Sequence, residues 1–130
     1  MRRVLLFGIF DGEHEEHKAL ITEAREHGDE LIVVVAQDHV VEHLLGRLPH
    51  ANLALRFEEL KKNDGVVKVV IGNVDMPPIQ LIKQYKPDVI TCAANQSILE
   101  QEIRDAIPYA GIHPEIVVLT ASEKNQHHNP

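Results

Sequence analysis

The chain has no tryptophan and only 4% aromatic residues. Its core must therefore come from valine, isoleucine, leucine and alanine, a palette suited to strands and helices packed in layers. A single cysteine, Cys92, excludes an internal disulfide framework and fits a reducing compartment. Long apolar runs are missing too. The longest unbroken one, residues 31–36, is far too short to span a membrane. The first apolar stretch is short and soon meets Asp11 and Glu13, so no signal peptide is expected and the expected setting is the cytoplasm. Positive charge is scarce as well. The net charge is −7, and Arg2-Arg3 and Lys61-Lys62 are the nearest approach to a basic patch, so no nucleic-acid partner is expected.

What is present fits one soluble domain. The chain has 130 residues, 44% hydrophobic and 25% charged, enough for a single core. Residues 1–119 are expected to form that domain, and residues 120–130 a polar, flexible tail.

The pattern along the chain alternates. Residues 3–7, 30–36, 66–71, 88–93 and 115–119 read as buried strands. Residues 15–27 read as a helix stopped by Gly28. Residues 40–45 read as a second, capped by Asp38. A loop, 46–52, leads to a helix over 54–62 and a turn at Asn63-Asp64-Gly65. Pro77-Pro78 opens a helix to Tyr85, which Lys86-Pro87 breaks. Residues 98–110 alternate like a helix that Pro108 is expected to end early. Continuous apolar strands separated by helices predict an α/β fold, a doubly wound parallel five-stranded sheet covered on both faces. Ligands bind such folds at the carboxyl ends of the strands, near the switch point.

The loop after the first strand sits at such an end. Gly8 allows close backbone approach, and the next helix offers free N–H groups and a positive dipole end. His14 and His17 are three residues apart, so both imidazoles can face one ligand. Histidine donors suit charge building on phosphoryl oxygens. The plain alternative is a pair of solvated histidines, with Glu13, Glu15 and Glu16 drawn to the helix dipole. A metal site on the pair lacks an evident third ligand, and the spacing is not that of a zincin helix. His27, His39, His43, His50 and His113 read as surface residues, although His39 and His43 share a helix face. His127-His128 is a weak metal-binding candidate, and Cys92 a packing residue.

Residues 8–17, Gly-Ile-Phe-Asp-Gly-Glu-His-Glu-Glu-His, resemble the G-T-F-D-x-x-H-x-G-H signature of the cytidylyltransferase-like nucleotidyltransferases. The likeness continues through Leu20, Ala24, residues 28–36, Asp38, Gly46-Arg47, residues 56–60, 66–72 and 86–90. It is greatest to the glycerol-3-phosphate cytidylyltransferase and archaeal FAD synthetase branch. The resemblance implies a Rossmann-like fold of the HUP type and transfer of CMP or AMP from CTP or ATP to a phosphorylated acceptor, with release of pyrophosphate. It implies that His14 and His17 are catalytic, and that Gly8, Ile9, Phe10, Asn95, Gln96 and Ser122 meet the nucleotide. Asp11, Arg47 and Arg56 are implied at the acceptor or its phosphates. Mg²⁺ is implied at the triphosphate, and a homodimer by the pairing of small relatives.

The chain departs from the signature at telling places. Glu16 stands where the family has glycine, Ile9 where it has threonine, and Asn95 where aspartate is frequent. Two like charges at ~4 Å cost ~1 kcal/mol in water and ~4 kcal/mol at an effective dielectric of 20. A glutamate facing a triphosphate would weaken binding a hundred- to thousand-fold, as a few kcal/mol does. After the fifth strand, Leu119-Thr120-Ala121-Ser122-Glu123-Lys124 is a faint echo of the family's closing motif, with Ser122 and Lys124 as its remnant. These departures leave a second reading, a catalytically impaired nucleotide-binding or regulatory module.

Overall fold

The computed structural model describes residues 1–11, 14–63, 65–66, 68–72, 79–94 and 96–121, His14 by its backbone alone. Among the described residues are five strands and five helices, alternating except that two helices follow the second strand. They are β1 (Arg3–Gly8), α1 (His14–Arg25), β2 (Glu30–Val35), α2 (Asp38–Leu45), α3 (Leu53–Lys61), β3 (Lys68–Ile71), α4 (Ile79–Tyr85), β4 (Val89–Ala93), α5 (Ser97–Ala110) and β5 (Glu115–Leu119). The strands form one parallel sheet in the order β3-β2-β1-β4-β5. The chain builds outward from β1 to β3, then returns to β1 and builds the other way. The switch point therefore lies between β1 and β4, where Phe7 pairs with Cys92.

Successive side chains on a strand point to opposite faces, and here both faces are buried. Val4 and Leu6 join Leu20, Ala24 and Leu60 in one core, beneath α1 and α3. Leu5 and Phe7 join Ile82 and Ile103 in the other, beneath α4 and α5. That is why β1, β2 and β4 read as continuous apolar runs. Thr91 is the polar exception on β4, and its hydroxyl donates to the Leu5 carbonyl at 3.0 Å. Gly28 does more than stop α1. A Cβ there would lie 2.6 Å from Val4 Cγ2 and 2.8 Å from the Arg2 carbonyl, so the turn into β2 has no space for one.

Four details depart from the sequence expectations. The cap of α2 is Gln37, whose side chain makes no capping bond, and Asp38 is the first helical residue. The Asp38 carboxylate instead accepts from Arg56. Helix α5 runs through Pro108 to Ala110 and ends at Gly111 in the left-handed conformation. The buried stripe Leu99, Ile103, Ala106 and Ala110 holds it down past the proline, so tertiary packing overrides the local break. Strand β3 begins at Lys68 rather than 66. Thr120 and Ala121, assigned by sequence to the tail, are bound to α1 through Glu23. Asp64, Pro77-Pro78, His127-His128 and the rest of that tail lie outside the described residues.

The sparse basic pairs are neutralised locally. Arg2 meets Glu115, Arg3 meets Glu30, Lys61 meets Glu58 and Lys62 meets Glu59. Among the described residues no helix is long and apolar enough to cross a membrane.

Cys92 is fully buried, and burial, aided by Glu100 and opposed by Arg104, pushes its thiol up to about 12. At pH 8 it should remain a neutral thiol, inert to alkylation. Ellman's reagent added to the native protein should therefore react at the global unfolding rate. Fast, stoichiometric labelling would contradict this packing.

Candidate active site at the turn from β1 to α1

The turn leaving β1 is unusually constrained. Phe10 has φ 58°, a left-handed conformation that costs a non-glycine residue roughly 1–2 kcal/mol. Its ring folds back over Gly8, where a Cβ would stand 2.8 Å from two ring carbons. Gly8 is thus required by Phe10. The ring then meets the imidazole of His17 edge-on, with centroids 5.6 Å apart at 86°. Ile9, Phe10 and His17 are all buried, so one packed unit sets the orientation of that imidazole. His14 opens α1 on the same turn, and its side chain lies outside the described residues.

Asp11 follows with a carboxylate that solvent does not reach. It accepts the backbone N–H of His50 at 2.6 Å and of Ala51 at 2.8 Å. These bonds tie the loop between α2 and α3 to the β1 turn. The same loop carries Arg47, whose Nη1 lies 3.6 Å from Asp11 Oδ2 and donates to the Leu48 carbonyl. Asn52 closes the loop as the cap of α3, its side chain accepting from the Leu55 N–H.

Arg56, which the resemblance implied at the acceptor or its phosphates, is turned into the protein. It is 2% exposed. Its Nη1 donates to the Ile9 carbonyl at 2.8 Å, its Nε to the Ala51 carbonyl at 2.9 Å and its Nη2 to Asp38 at 2.6 Å. A buried guanidinium needs such partners, and here three of its five donors go to the protein itself. Asp11 likewise faces backbone donors of the 50–51 loop rather than open space.

The structure brings Gly8, Ile9, Phe10, Asp11 and His17 together with Arg47 and Arg56. Gln96 is buried just beyond the carboxyl end of β4, on the same rim of the sheet, its N–H bonded to the Ala93 carbonyl. Asn95 and Ser122 lie outside the described residues. Glu16, in the first turn of α1, is half-buried, whereas Glu15 is exposed. Sequence reasoning missed two residues. Asp38 was read as a cap and as part of the family likeness but not as a site residue, and nothing local signals its pairing across 18 residues with Arg56. Glu23 was not singled out, yet it accepts from the Thr120 and Ala121 N–H groups and the Thr120 hydroxyl.

A turn that carries a buried His17 at the switch point of a doubly wound sheet is suited to phosphates. The model of the cytidylyltransferase-like family matches residues 5–128. The chain belongs to that family. A FAD synthase of Thermococcus sibiricus is 32% identical over 123 residues, covering 95% of this chain and 83% of its own length. A FAD synthase of Pyrococcus horikoshii is 37% identical over 117 residues, covering 90% and 79%. The crystal structure of a lipopolysaccharide core biosynthesis protein of Thermoplasma volcanium superimposes with a TM-score of 0.81 at 31% identity. It covers 95% of this chain and 99% of its own. Membership places the chain among the nucleotidyltransferases, as the resemblance implied. The same family fold accounts for the five parallel strands.

Glu23 generates a pH prediction. Burial pushes its carboxyl up, but the donors from Thr120 and Ala121, with His27 nearby, outweigh that and bring its pKa below the usual 4.5. A lowered native pKa contributes stability above the unfolded value, and that contribution is lost as pH falls through the native value. Native protein should therefore melt above Glu23→Gln by a constant margin at neutral pH. The margin should narrow below about pH 4.5, where even the unfolded carboxyl protonates. Melting curves that stay parallel down to pH 3 would exclude the linkage.

Proposed function

We propose that the protein transfers AMP from ATP to the phosphate of FMN, giving FAD and pyrophosphate. The observation that carries this reading is the likeness to FAD synthases at 32–37% identity across 90–95% of the chain. CTP is the competing donor, given the family's name. In the reaction an oxygen of the acceptor phosphate forms a bond to the α-phosphorus. The bond from that phosphorus to the bridging oxygen breaks, and pyrophosphate leaves with the electron pair. The attacking phosphate is already ionised, so no base is needed. What remains is positioning and charge stabilisation.

His17 and His14 supply the donors at the phosphoryl oxygens in this reading, and the backbone of Gly8, Ile9 and Phe10 cradles the nucleotide. Asn95, Gln96 and Ser122 serve the base and ribose side. Arg47 meets the acceptor phosphate, held beside Asp11 by the loop bonds described above. Among the described residues no three His, Cys, Asp or Glu side chains gather into a metal-holding group. Magnesium belongs to this reading as part of the nucleotide substrate, bridging its phosphates.

Glu16 supports a second reading, a nucleotide-binding module of impaired activity. It puts a half-buried acidic residue in the first turn of α1, close in sequence to the histidines of this reading.

The experiment is pyrophosphate release and FAD formation from magnesium ATP plus FMN, with CTP and glycerol 3-phosphate as the rival pair. His17→Asn should lower kcat by about 100- to 1,000-fold, the loss expected for one transition-state donor. Turnover only with CTP would replace the donor assignment. Silence of the native chain with both nucleotides, and activity in Glu16→Gly, would favour the impaired module.

A further inference from the structure

We infer that Arg56, clamped by Asp38, is a positioning residue that sets the geometry of the phosphate turn from behind and does not itself bind phosphate. The inference rests on the nucleotidyl-transfer reading for its kinetic consequences, but its structural content stands apart from it.

The argument starts from the Ile9 carbonyl. Ile9 is fully buried, one residue past the end of β1, so its carbonyl cannot turn to solvent for a partner. Arg56 Nη1 supplies one at 2.8 Å. Fixing that carbonyl fixes the peptide leading into Phe10, whose left-handed φ has no support from its own side chain's preferences. Phe10 in turn abuts His17. A chain of contacts therefore runs from Arg56 through Ile9 and Phe10 to the imidazole.

The other donors of Arg56 fix its own place. Nε donates to the Ala51 carbonyl, while the Ala51 N–H donates to Asp11. One residue of the 46–52 loop, Ala51, is thus gripped through both its backbone groups, by Asp11 of the β1 turn and by Arg56 that holds the turn. Nη2 meets Asp38 at the start of α2. Asp38 is the outer end of the clamp, with a side chain 41% exposed, while the guanidinium is 1% exposed. A cation so enclosed would have to break all three bonds to swing toward a triphosphate. Arg47, on the same loop and more open at 32%, is the better-placed cation for a substrate phosphate.

Two variants test this, because truncating Arg56 would orphan two carbonyls and risk the fold. Asp38→Ala removes the clamp at its exposed end. Arg56→Lys keeps the charge but cannot make three bonds in fixed directions. For each, thermal melting establishes folding. The His17 ring resonances of ligand-free protein, assigned against His17→Asn, report the turn, and pyrophosphate release with magnesium ATP and FMN reports chemistry. Both variants should shift the His17 resonances. Both should lower kcat by about 10- to 100-fold, the loss that a sub-ångström to 1 Å misplacement gives, while KM for ATP stays within about threefold. A phosphate ligand would behave in the opposite way. If Arg56→Lys raises KM for ATP about tenfold or more at unchanged kcat, and Asp38→Ala leaves both kcat and the His17 resonances as in the native chain, the inference is overturned. If the native chain turns over neither ATP nor CTP, the functional reading fails. The His17 resonances then decide the positioning role alone: shifted in Asp38→Ala they support it, unmoved they refute it.

Discussion

A single backbone carbonyl organises the site. Ile9 is sealed into the core where strand pairing has ended, and an unmet carbonyl there would cost about 1–3 kcal/mol. The donor that reaches it is charged and makes a strong bond, but a buried guanidinium is itself costly unless fully partnered. That second requirement recruits Asp38 from α2 and the Ala51 carbonyl from the loop before α3. One carbonyl just past the end of β1 thus ties together a strand, two helices and the loop between them.

The strain at Phe10 is tolerable because of this frame. A left-handed phenylalanine persists only where its surroundings over-determine it. Gly8 leaves room beneath the ring, His17 closes its edge, Arg56 holds the peptide before it, and the carboxylate of the next residue, Asp11, ties the turn to the 46–52 loop. The geometry of the turn and the strain have the same cause. The start of α1, where the helix dipole is positive, is brought to the switch point by a turn that the chain would not adopt alone.

Much of this was legible in the sequence. Strands β1, β2 and β4 are buried on both faces, so their runs of Val, Ile and Leu announce themselves without alternation. The glycine and histidines of the turn were legible because their spacing is local. What was hidden depends on direction. Arg56 reads as a free cation on a helix, and only the fold shows that it points inward, to a carbonyl 47 residues away. Asp38 looked like a cap because aspartate before an apolar stretch usually is one; the competing guanidinium displaced that role. Pro108 looked like a stop because the stripe that carries α5 past it acts through packing across the sheet, not through neighbours in sequence. Glu23 carries no local signal, because its partners at 120 and 121 come from a distant part of the sequence.

Residues 50 and 51 of the 46–52 loop meet Asp11 and Arg56 through backbone groups: two N–H donors, at His50 and Ala51, and one carbonyl, at Ala51. Every amino acid except proline carries those groups. The lettering at 50 and 51 is therefore open to drift, while the number of residues between Arg47 and the Asn52 cap is closed. Divergence in this strap should be read as spelling that changes freely around a fixed metre, with the imprint of function kept in its length.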